Sequence, residues 1–211
     1  MNINKKYWGM AMNDFERVGY VVIRGALTEQ TTKLLQYNFN MIKDVDLFSK
    51  GMDPNAPFFG DNQVKNSFYW YGAYCFESLM LTLQPMVEEV IGKELYPCYT
   101  YARIMRTGAD MAKHKDRPSC QYSATICIIE DTDSPYPIFM ENYQGEASAV
   151  HLAPGDMIVY NGTELNHWRE EYKGKEQMQA FINFVDANGE YKDYKFDKRP
   201  MLGLSAATKQ Q

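Results

Sequence analysis

Residues 105–116 read MRTGADMAKHKD, and residues 151–167 read HLAPGDMIVYNGTELNH. The first stretch closes on His114 and Asp116, two residues apart. In an extended chain such residues face the same side, so an imidazole and a carboxylate converge on one point. The second stretch passes through a Pro154-Gly155-Asp156 turn and an apolar β-type run, and ends at His167. Around both lie further short β-type runs between turn signals: CYTYARIMR, QYSATICII, YPIFMEN, ASAVHLA, HWREEY and MQAFINFVD. Many short strands with interspersed Gly and Pro predict an all-β sandwich or barrel rather than a parallel sheet.

Upstream the texture differs. NDFERVGYVVIRG (13–25) predicts a short helical or turn segment and then a strand over Gly19–Arg24, from its Val21-Val22-Ile23 run closed by Gly25. Thr28 is placed to N-cap a helix over 29–44, with Leu34, Leu35, Phe39 and Ile42 near helical spacing. Residues 45–72, with Gly51, Pro54, Pro57 and Gly60, read as an ordered loop. A second helix is expected over 75–92, with Leu79, Leu83, Met86, Val87 and Val90 as its apolar face and Gly92 as its stop. Pro85 removes a backbone donor inside that span and predicts a kink or split. The expected organisation is mainly β with flanking helices in a single domain: a helical and loop flank (1–95), a β-core (96–186) and a polar, loosely packed tail (187–211).

Composition narrows the function classes. A chain of 211 residues with 45% apolar and 23% charged residues has the make-up of one ordinary globular domain. A net charge of −5 argues against a nucleic-acid partner, which a basic field would serve. MNINKKYWGMAMNDF carries no apolar run of secretory length, and no stretch approaches the ~20 apolar residues of a membrane helix. Cys75, Cys98, Cys120 and Cys127 form no CxxC pair and are expected as reduced, mostly buried thiols. A cytoplasmic location and no membrane partner are the expectation; the oligomeric state stays open.

Only three histidines are available: His114, His151 and His167. One carboxylate and two imidazoles on one face of a metal leave the opposite positions open, which is the ligand set of non-haem Fe(II) oxygenases. An HxD pair by itself arises readily by chance, as a surface histidine beside a solvated aspartate. Its surroundings give it weight: residues 105–116 keep the spacing YxxGxxYxxHxD, with Gly108, His114 and Asp116 at the matching places.

On these residues the sequence resembles the 2-oxoglutarate and Fe(II)-dependent oxygenases, and among them the prolyl 4-hydroxylase-like branch. The resemblance covers about residues 96–186, and more loosely GYVVIRGALTEQ. It implies a double-stranded β-helix (jelly roll) with iron held by His114, Asp116 and His167 near one open end. It also implies 2-oxoglutarate and O2 as co-substrates, with ascorbate in support, and hydroxylation of an unactivated C–H bond. The branch points to a prolyl residue in a peptide or protein as substrate. A free amino acid or other small molecule is the alternative, and a non-catalytic jelly-roll binding module the third reading.

The sequence also departs from the family pattern. Met105 and Met111 replace its two tyrosines, and the basic residue nine or ten places beyond the distal histidine is missing, since Glu176 and Gln177 stand there. A dicarboxylate in an apolar pocket still needs a cation. Arg169, two residues beyond His167, points into the same cavity if the segment is extended, and its fork suits a carboxylate. Arg103, Arg117 and Lys175 are the other candidates, and Tyr101, Thr125 and Gln179 could add hydrogen bonds. His151 is expected in an edge or surface role, and Trp168 in the core. The aromatic group Phe58, Phe59, Phe68, Tyr69, Trp70 and Tyr71 reads either as packing or as a lid, with residues 62–66 then mobile.

Overall fold

Alternation along three long strands sets the layers. In the computed structural model, described for residues 14–53, 56–133 and 135–208, these are β3 (Leu95–Arg106), β5 (Tyr122–Asp131) and β10 (Glu176–Asp186). Expectations for residues 1–13 and for Pro54 lie outside the described residues. Ala102, Ile104, Ala124, Ile126, Ala180 and Ile182 turn one face of these strands to the helices and join the main core there. Tyr101, Arg103, Ser123, Thr125, Gln179 and Asn183, at the intervening positions, turn to the opposite face. Both faces are covered, so the strands read as nearly continuous buried runs.

The remaining elements are β1 (Tyr20–Ile23), α1 (Glu29–Ser49), β2 (Ser67–Tyr71), α2 (Tyr74–Ile91), β4 (Met111–His114), β6 (Ile138–Glu141), β7 (Ala147–Val150), β8 (Met157–Asn161) and β9 (His167–Arg169). One sheet runs β1-β8-β5-β10-β3-β2 and the other β4-β9-β6-β7, with antiparallel pairing throughout. From β3 to β10 the chain alternates between the two sheets, apart from the hairpin β6–β7. That path is a jelly roll, and β1 and β2 widen its larger sheet at the two edges.

Thr28 caps α1 as expected, its side chain accepting from the Thr31 N–H. The helix runs on to Ser49 because nothing before Gly51 breaks it and Leu47 lands on the buried face. Pro85 does not split α2, which runs through it, and it lies on the exposed side of the helix. Gly92 ends α2 with φ +74°, and its N–H reaches the Glu88 carbonyl.

Three expectations need correction. SFYWY, inside the expected 45–72 loop, is strand β2, paired with β3; its run of aromatic side chains suits a half-buried edge strand. The segment after Asp186 is not loosely packed: Asp197 and Arg199 are buried, Arg199 pairs with Glu77 at 2.7 Å, and Asp197 pairs with Arg117 at 3.0 Å. Trp168 belongs to no core cluster. It lies half-buried, stacked on Phe139 at 5.3 Å with the Lys113 ammonium over its ring.

Candidate metal centre and its cavity

The smaller sheet brings the three donors together. His114 ends β4, His167 opens β9, and the two are register partners in the smaller sheet, with ring centroids 4.3 Å apart. Asp116 follows β4, and its N–H donates to the Gly162 carbonyl at 2.8 Å. One Asp116 oxygen lies 3.6 Å from Nε2 of each histidine, and one ligand atom from each residue falls within 4.8 Å of the others.

Each imidazole is already turned for ligation. His114 Nδ1 donates to the Ala112 carbonyl at 2.8 Å, and His167 Nδ1 to the Leu165 carbonyl at 3.2 Å. Those bonds place the proton on Nδ1 and leave the Nε2 lone pair aimed at the carboxylate side. Burial lowers the His167 pKa, which favours the neutral, ligating form. For His114 burial also pulls down, but Asp116 and the Ala112 carbonyl outweigh it and the net direction is up.

The carboxylate is held as closely. Ser123 Oγ lies 3.2 Å from Asp116 Oδ2 and 2.8 Å from Asn183 Oδ1. A Cβ on Gly162 would stand 2.5 Å from that same Asp116 oxygen and 2.4 Å from the Cys120 carbonyl, so only glycine fits the approach. Two imidazoles with Nε2 turned to the carboxylate side, a positioned carboxylate and a cradle without room for a side chain fit a divalent transition metal. Cys120 lines the cavity beside the site, and burial pushes its thiol up to about 12. The four cysteines are free; Cys98, Cys120 and Cys127 are buried and Cys75 half-buried.

A cavity of about 280 Å³ opens beside the triad between the sheets, lined among others by Tyr101, Arg103, Arg117, Thr125, Arg169 and Phe181. The three arginines differ in their partners. Arg103 donates to Asp61 Oδ2 at 2.5 Å, and Arg117 grips Asp197 with both terminal nitrogens at 3.1 and 3.0 Å. Arg169 is buried, donates one bond to the Tyr136 carbonyl, leaves its Nε without a partner and has no ion pair among the described residues. Thr125 is buried on the cavity wall, its hydroxyl 3.4 Å from Tyr160 Oη. Gln179 lies on the same sheet face one row away, level with Arg103, outside the lining and with its Nε2 unpartnered. Lys175 is exposed and does not line the cavity. His151 stands at the edge, half-exposed and 2.6 Å from Glu130.

Other residues of the site escape sequence reading. Asp61 and Gln63 reach in from the segment before β2. Asp61 accepts from Tyr101 at 2.6 Å as well as from Arg103, and the Gln63 amide meets His114 Nε2 at 2.7 Å. A turn is legible in GDNQV, since Asp61 accepts from the Gln63 and Val64 N–H groups, but nothing local says that it folds over β3. The aromatic group divides: Phe58 and Phe68 join the core, Tyr71 lines the cavity, and Phe59 is exposed.

No protein-family model and no curated protein matches this sequence. Solved structures do match in fold. The non-haem α-ketoglutarate-dependent carbocyclase SnoK from nogalamycin biosynthesis aligns over 88% of this chain and 85% of its own, with a TM-score of 0.68 and 14% identity. A prolyl-4-hydroxylase from Pseudomonas putida aligns over 85% and 98%, with a TM-score of 0.63 and 12% identity. HygX from Streptomyces hygroscopicus, with nickel, 2-oxoglutarate and hygromycin B bound, aligns over 85% and 87%, with a TM-score of 0.65 and 11% identity. At these identities the likeness is one of fold: this chain has the jelly roll of 2-oxoglutarate/Fe(II) oxygenases and a His-Asp-His cluster between its sheets.

Proposed function

We propose that this protein is an Fe(II)- and 2-oxoglutarate-dependent oxygenase that hydroxylates a C–H bond. The observation that carries the reading is the pairing of a His114-Asp116-His167 cluster with a buried guanidinium, Arg169, that faces the same cavity and has no carboxylate partner among the described residues. An uncompensated buried cation is costly, and a ligand carboxylate would relieve it. Iron would sit on His114 Nε2, His167 Nε2 and an Asp116 oxygen. Bound there, it would supply the O2-dependent oxidation that protein side chains do not perform.

The chain's own groups have definite tasks. Arg169 would take the distal carboxylate of 2-oxoglutarate, with the Thr125 hydroxyl beside it. Arg103 and Arg117 are the weaker candidates because Asp61 and Asp197 already hold them. Gln179, one row away, would support that end through its unpartnered amide nitrogen. Tyr101, bonded to Asp61, would wall the substrate side rather than bind the co-substrate. Gln63 would leave His114 Nε2 when a metal binds there.

The substrate on the first reading is a prolyl residue in a peptide or protein, supported by the resemblance of residues 105–116. The second reading, a small molecule, is favoured by a cavity of only about 280 Å³ under the Asp61–Gln63 turn. Calorimetry with Mn(II) tests the core of the proposal: 2-oxoglutarate should bind the metal-loaded protein and not the metal-free one. Metal-independent binding, or none, would remove the oxygenase reading. Aerobic succinate release stimulated by proline-containing peptides, or only by small molecules, then decides between substrates.

A further inference from the structure

Helix α1 is apolar on both sides. Thr32, Leu35, Phe39 and Leu47 bury its inner face. On the opposite face Leu34, Tyr37, Met41, Val45 and Phe48, at spacings of three and four residues, form one continuous stripe, each side chain 59–88% exposed. An apolar helix face is ordinarily turned to a packing partner, and here two such faces are separated by polar flanks.

We propose that this stripe is the interface of a homodimer, in which the α1 helices of two copies pack across a two-fold axis. The exposed surface of these five residues is of the same order as the ~800 Å² that each partner gives to a stable interface. Patches on monomers are smaller, commonly about 300–600 Å². The stripe carries no charge; Lys33 and Asp44 only flank it, as expected of an interface centre depleted in charged residues.

Its shape is self-complementary, which a two-fold contact requires. Met41 stands midway between Leu34 and Phe48, so helices crossing antiparallel there would bring each end of one stripe to the opposite end of the other. The stripe is spaced symmetrically about Met41, with Tyr37 and Val45 four residues to either side of it and Leu34 and Phe48 seven, so in that crossing Phe48 of one copy would lie against Leu34 of the other. The inference is independent of the oxygenase reading, because α1 contributes no residue to the metal cavity.

Sedimentation equilibrium of the full chain over a concentration series tests it. A reversible species of twice 24.5 kDa is expected. Val45→Glu should lower the association constant by about 100-fold or more, by burying a charge at the centre, while leaving the thermal midpoint of the monomer unchanged. Met41→Cys should cross-link two chains under mild oxidation. A wild-type monomer at the highest attainable concentration, or a dimer indifferent to Val45→Glu, would overturn the proposal. So would a monomer whose Met41→Cys thiol resists alkylation, since another segment of the chain would then cover the stripe.

Discussion

The two faces of the larger sheet are built from the same strands and do opposite work. Toward the helices β3, β5 and β10 present Ala102, Ile104, Ala124, Ile126, Ala180 and Ile182, all but free of polar atoms. On the opposite face they present half-buried Tyr101 and the buried polar side chains Arg103, Thr125, Gln179 and Asn183, with Arg103 Nε and Gln179 Nε2 left without partners. One face gains stability by excluding water. The other gives up part of that gain to hold polar groups, two of which keep a buried nitrogen without a partner among the described residues. The strand period of two lets one sequence serve both ends.

A paired substitution across this divide gives the largest effects and the sharpest contrast. Ile182→Ala, on the helix side, should cost about 2–5 kcal/mol in urea unfolding, since it opens a cavity in a fully buried core. His167→Ala, on the smaller sheet across the cavity from the polar face, should leave unfolding within about 1 kcal/mol of wild type, because a sandwich core does not depend on one ligand histidine. It should nevertheless abolish divalent-metal binding and all succinate release. A large loss of stability in His167→Ala would merge the two faces into one structural role and break the comparison.

A smaller and more selective effect is expected at Arg169. Arg169→Met keeps the apolar stem but removes the unpaired buried charge, so stability should hold or rise slightly. Affinity for 2-oxoglutarate should fall by about 100-fold, the loss of a charge-assisted carboxylate contact worth about 3 kcal/mol, while metal affinity stays level. Calorimetry with Mn(II), before and after adding 2-oxoglutarate, separates the two. Unchanged co-substrate affinity would transfer the anchor to Arg103 or Arg117.

How much of this was legible in the sequence follows from the range of each interaction. Strands β3 to β10 and both helices are written in local alternation and spacing, and the His114-Asp116 pair lies within a single turn of chain. His167 is readable because a PGD turn and a strand lead into it. Asp61 and Gln63 are not readable, because their partners Tyr101, Arg103 and His114 lie about 40–50 residues away and loop composition does not encode where a loop lands. Gly162 looks like an ordinary turn glycine until Asp116 is placed 2.5 Å from its missing Cβ. The order of the C-terminal segment stayed hidden for the same reason, since it rests on Asp197 meeting Arg117 and Arg199 meeting Glu77.

Asp61 provides the smallest effect and a pH signature. Burial works against its carboxylate, but the Arg103 guanidinium, the Tyr101 hydroxyl and the Val64 N–H outweigh it, so its pKa lies below the ordinary carboxylate value. A depressed folded-state pKa contributes stability that is fully present above the unfolded value and is lost as pH falls through the folded one. Asp61→Asn should therefore cost about 1–3 kcal/mol at neutral pH, where a charge-assisted bond to buried Arg103 is replaced by a neutral one. The gap between variant and wild type should close as pH drops below the carboxylate range, measured as urea midpoints along a pH series. Should the gap persist at low pH, the turn would be held by its backbone bonds alone. The ion pair that ties it over the polar face would then contribute nothing.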